Sequence, residues 1–122
     1  MPYPHMTDEQ LFQWMDHTIE EKMLFKQSDL KRSTMLKMLG IGKDRFGRIV
    51  RTFHPEANFT AYINEKRVHY AAKQIAQNPR VPIKTWVFEC GMSNPITFCR
   101  LFRKYFGMTP TQYRYQQKQQ KV

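Results

Sequence analysis

The stretch KMLGIGKDRFGRIV, residues 37–50, puts three glycines into eight positions with a lysine among them. Three architectures use such a run: the phosphate loop of a nucleotide enzyme, the hairpin of a helix-hairpin-helix, and the turn of a helix-turn-helix. A Walker-type loop needs a Gly five residues before its Gly-Lys and a Ser or Thr after it to hold magnesium. Here Lys37 occupies the first place and Asp44 the second, and no strand pattern precedes the run. An acid there repels phosphate, so the nucleotide reading fails. LGIGK, residues 39–43, fits a phosphate-gripping hairpin better, but those five residues explain neither the amphipathic helix after them nor the second copy of the pattern. In the third reading Gly40 ends one helix where left-handed backbone costs least, Ile41 packs between two helices, and Gly42 precedes the second.

The rest of the chain favours the third reading. Apolar residues recur with helical spacing nearly throughout, and no segment alternates as a strand would. A first helix is predicted from Thr7 or Asp8 to about Phe25, with Leu11, Met15, Ile19 and Met23 four apart. A second covers about 32–39, burying Met35, Leu36 and Leu39. A third covers about 43–53, with Phe46, Ile49, Val50 and Phe53 on one stripe, and His54-Pro55 stops it. Asn58 can cap a long fourth helix that lasts to about Gln77. A short fifth, about 83–90, ends at Gly91. A sixth opens with Asn94 as cap and Pro95 as its first residue, and carries Phe98, Leu101, Phe102 and Tyr105. Thr109-Pro110-Thr111-Gln112 makes a capping box for a seventh.

The pattern also repeats. LGIGKDRF and CGMSNPITF each come after a short apolar helix and precede an amphipathic one, and Gly40 and Gly91 stand 51 residues apart, as do Tyr62 and Tyr113. The expected class is therefore all-α, with about seven helices. Two helix-turn-helix modules, homeodomain-like units, are joined by a long linker helix. By organisation, residues 1–6 read as an unstructured leader or fragment boundary, 7–115 as the double module, and 116–122 as a fraying basic tail.

Composition names the partner. Twenty Lys and Arg stand against ten Asp and Glu, a net charge of +10. Residues 1–29 hold six acids and two bases, whereas residues 30–122 hold eighteen bases and four acids, a net of +14. Such asymmetry points to a polyanion. Cys90 and Cys99 form no disulfide framework and lack metal-site spacing. His5, His17, His54 and His69 are scattered, so neither a metal nor a cofactor nor a catalytic centre is expected. No apolar run is long enough to span a membrane and no signal peptide is visible, which predicts a cytoplasmic protein.

Residues 89–114, ECGMSNPITFCRLFRKYFGMTPTQYR, resemble the C-terminal signature of the AraC/XylS family of bacterial transcription regulators. The likeness rests on Gly91, Phe98, Arg100, Phe102, Phe106-Gly107, Thr109-Pro110 and Tyr113-Arg114, and extends more loosely over about residues 8–115. It implies seven helices with two helix-turn-helix modules that bind double-stranded DNA, with no enzymatic activity. It also implies RNA polymerase as a partner and, as in many members, a separate sensing or dimerising domain. This chain has no room for one, so it reads either as a free-standing small regulator or as a C-terminal fragment of a longer protein.

Subtracting the apolar stripes leaves the faces for DNA. On the third helix these are Asp44, Arg45, Gly47, Arg48 and Arg51; the resemblance assigns base contact to positions 44, 47 and 48. Arg48 can pair bidentately with guanine. Gly47 has no side chain, so this module is expected to read few bases and mainly to position the protein. On the sixth helix Pro95, Ile96, Thr97, Cys99, Arg100 and Arg103 face out. Ile96 and Thr97 can pack on thymine methyls, Arg100 can reach guanine or phosphate, and Arg103 and Lys104 suit phosphates. Asn94 and the amides beside it can also take phosphate. Arg67, Lys73, Arg80 and Lys84 are further candidates for the backbone. The tryptophans, Trp14 and Trp86, are expected in the core. A twenty-residue fourth helix would be roughly 30 Å long at ~1.5 Å per residue, close to the ~34 Å of one duplex turn.

Rival classes predict other features. A non-specific architectural binder shares the charge but needs no shaped recognition helices. A repair enzyme needs a catalytic Lys, Asp or metal cluster, which the pattern lacks. A helical interaction module leaves the +14 segment unexplained.

Overall fold

A computed structural model of the protein describes residues 5–54 and 58–120. Pro55, most of the leader and the last two residues lie outside them. The described residues form seven α-helices and no strand, which is the all-α class expected.

The first unit, ending at Ile63, opens with α1, Asp8–Glu21. Thr7 and Gln10 cap it reciprocally: the Thr7 hydroxyl accepts from the Gln10 amide at 3.1 Å, and Gln10 Oε1 accepts from the Thr7 amide at 2.9 Å. Leu11, Met15 and Ile19 are buried as spaced. The helix stops short of the expected Phe25. Met23 takes a left-handed conformation (φ 51°), and a 3-10 turn over Leu24–Lys26 comes next. Met23 is consequently 48 % exposed and Phe25 is buried in the core. The chain must reverse here to bring the next helix back onto α1, and unwinding one turn trades one apolar side chain for another.

Helices α2, Arg32–Leu39, and α3, Lys43–Phe53, flank the quoted turn. Gly40 sits at φ 67°, and Gly91, its counterpart in the repeat, at φ 101°; both values strain any residue with a Cβ. Met35, Leu39, Phe46, Ile49 and Val50 close the core with Phe59 and Tyr62, whose hydroxyl donates to Asp16.

Helix α4 spans Phe59–Gln77, begun by Asn58, whose side-chain oxygen accepts from the Ala61 amide at 2.7 Å. The second unit begins within it, at Asn64. It contains α5, Ile83–Glu89, α6, Pro95–Phe106, and α7, Pro110–Gln120. Val68, Ala71, Ala72 and Ile75 pack with Val87, Cys90, Met92, Phe98, Leu101 and Phe102. Thr109 and Gln112 form the capping box through two bonds of 2.9 and 3.1 Å. Helix α7 continues to Gln120, although the sequence loses its core face near 115. Both tryptophans are only half-buried. Trp14 lines a cleft of about 470 Å³ between α1 and α2 with His17, Thr18 and Met38.

Candidate nucleic-acid interface

In the second module the stripe of α6 buries Phe98, Leu101 and Phe102, which leaves Ile96, Arg100 and Arg103 in solvent and Thr97 half-exposed. Ile96 is 81 % exposed. A large aliphatic side chain so open at the start of a helix is a ready contact for an apolar group. Asn94 behaves as a cap: its Oδ1 accepts from the amides of Ile96 and Thr97 at 2.9 and 3.2 Å. Those two amides are therefore occupied, and the phosphate role expected of Asn94 is left to its amide nitrogen. The Lys104 ammonium lies 5.5 Å from the centroid of the Tyr105 ring, at the far end of the helix from Ile96.

The first module differs from its sequence reading in two places. Arg45 shares the outward face of α3, but it is half-buried and turns back to α1. Its Nε donates to Asp8 Oδ1 at 2.8 Å and its Nη2 to the Met6 carbonyl at 3.1 Å. The bond from Arg45 holds the Asp8 carboxyl below its usual range. Arg45 thus secures the start of α1, and in this arrangement its donors are turned to Asp8 and the Met6 carbonyl. Arg48 keeps a looser hold on the same carboxylate, 3.5 Å away, and stays largely exposed.

The second difference is Gly47, which is buried, not open. A methyl there would stand 3.1 Å from Arg51 Nη1 and 3.2 Å from Arg32 Nη2. Arg32 opens α2 and went unmarked in the sequence. Its Nη2 donates to the Lys43 carbonyl at 2.9 Å, and its guanidinium carbon lies 5.2 Å from the centroid of the Phe46 ring. The absent side chain at position 47 was the available signal, since a helical glycine commonly marks a close approach. Asp44, Arg48 and Arg51 are exposed on this face as expected.

Of the further candidates, Lys73, Arg80 and Lys84 are exposed. Arg67 is half-buried, donates to Asn64 Oδ1 at 3.1 Å, and has its pKa lowered by burial. Arg114, part of the family-like signature, serves the fold. It donates to the carbonyls of Ile75, Asn78 and Val81, at 3.3, 3.2 and 2.7 Å, and so closes the end of α4. No helix among the described residues is long and apolar enough to cross a membrane.

Residues 35–116 match the model of a family described as a helix-turn-helix domain, of AraC type. Two solved structures are similar. A protein of unknown function from Listeria innocua is 25 % identical, with a TM-score of 0.69, over 85 % of this chain and 94 % of that one. The C-terminal domain of AraT, a response regulator from Geobacillus stearothermophilus, shares the fold at 24 % identity and a TM-score of 0.64, over 75 % of this chain and 74 % of that one. No curated protein matches the chain. The match spans both turns and both outward-facing helices, and the chain belongs to the AraC-type helix-turn-helix family of DNA-binding transcription regulators.

Proposed function

We propose that the chain reads a specific duplex sequence by setting α3 and α6 into successive major grooves. The observation that carries this is the outward face of α6. Ile96 is open to solvent at the helix start, with Thr97 beside it and Arg100 one turn on. That order suits thymine methyls first and a guanine edge or phosphate next. In the first module Arg48 is the base reader. Asp44 can accept from a cytosine amine, Gly47 reads nothing, and Arg45 is engaged elsewhere, so this module contributes more to placement than to discrimination. At 19 residues, α4 is about 28 Å long, near the ~34 Å of one duplex turn. The family likeness extends the proposal to RNA polymerase as a second partner. It also extends to a sensing or dimerising domain outside this chain.

The test is selection of sites from a random duplex library by the purified chain, with the affinity of the best site measured against salt. The expected result is a motif in two blocks about one turn apart. Arg100→Ala removes preference in one block, and Arg48→Ala relaxes the other more weakly. Specific binding less than about 10³-fold tighter than non-specific binding would instead indicate an architectural DNA binder.

A further inference from the structure

We propose that Arg32 and Arg51 form a clamp for one backbone phosphate of duplex DNA, built over Gly47. The inference rests on the reading of the first module as a duplex-binding unit, and adds to it a contact from α2.

Both guanidinium groups converge on the space above Gly47, close enough that a single added carbon would touch each. Their nearest nitrogens are therefore within about 6 Å of one another. Two cations so placed repel, and among the described residues neither is paired with a carboxylate. Their proximity is best compensated by an anion that both can reach. Arg32 is also not a loose surface side chain. One donor is fixed on the Lys43 carbonyl, and the plane is supported by the Phe46 ring. An arginine has five N–H donors, so four remain for a ligand, already oriented. Planar, preoriented guanidinium groups match phosphate oxygens better than an ammonium would.

Tethering favours a phosphate over a base edge. Arg32 belongs to the first helix of the pair, the one that crosses the backbone while the second enters the groove. Its hydrogen bond to the Lys43 carbonyl of α3 holds it back from full extension. Gly47 is the socket of the clamp, since any side chain there must push one guanidinium aside.

The experiment measures affinity against salt for two duplexes, the best selected site and an unrelated sequence. It uses the whole chain, Arg32→Gln, Arg51→Gln, the double variant and Gly47→Ala, with thermal melting as the folding control. Arg32→Gln is expected to weaken both duplexes by the same factor, roughly 5-fold, and to lower the salt slope by about 1. Because both arginines share one phosphate, the double variant loses little more slope than either single one. Gly47→Ala is expected to weaken both duplexes while melting no lower than the parent. Unchanged affinity and slope in Arg32→Gln, with parental binding intact, would overturn the clamp and leave the regulator reading standing. Loss confined to the selected site would overturn it in favour of a base contact. If the parent chain binds neither duplex, the regulator reading fails first and the clamp with it.

Discussion

Arg45 and Arg114 both direct their donors to groups of the protein itself, Arg45 to Asp8 and the Met6 carbonyl and Arg114 to the main chain. Arg114 satisfies three main-chain carbonyls where α4 ends and the chain turns toward α5. Arg114→Met retains an apolar stem but orphans those oxygens, and is expected to cost about 2 kcal/mol by urea unfolding. Asp8 is the acid that holds Arg45. Its folded pKa lies below its unfolded value, so its contribution is full above the ordinary aspartate range. That contribution is lost as pH falls through the depressed value. Between pH 5 and pH 2 the parent should therefore lose more melting temperature than Asp8→Asn does. Gly47 bears on stability in the opposite sense. Ala is the better helix former by up to about 1 kcal/mol, and what it meets are the ends of flexible side chains. Gly47→Ala is therefore expected to raise the urea midpoint.

Helix ends were legible where a residue with one conformational purpose marks them. Gly40 and Gly91 closed their helices, Asn58 and Asn94 opened theirs, and α3 runs over the residues its stripe predicts. Asn94→Ala is expected to cost about 1 kcal/mol of stability by removing two bonds to amides at the start of α6. A far smaller effect in a melting experiment would mean that the Pro95 start suffices alone. The end of α1 was not legible, because the residue that leaves the helix there is a methionine in a left-handed conformation. No glycine or proline announces it, and the four-residue spacing runs straight through. Of the candidate site, the outward faces were legible: stripe subtraction found the exposed residues of α3 and α6, because each stripe depends on its own helix. It could not show what neighbouring helices send onto those faces, which is why Asp8 on Arg45 and Arg32 over Gly47 were missed.

At the scale of the molecule, one chain carries two modules of the same plan, and the proposed function requires both on one duplex. Inserting 5 bp between the two blocks of the selected site turns the second block to the opposite face, since a turn takes about 10 bp. Affinity should then fall to that of a duplex with a single block. An affinity that ignores the insertion would show that one module binds alone. Each unit also encloses one tryptophan, half-buried: Trp14 in the first and Trp86 in the second. No other tryptophan is present. The chain thus holds a matched pair of intrinsic fluorophores, one per module. Replacing either with phenylalanine leaves the emission of the other to track a single module, through unfolding or on a titration with duplex.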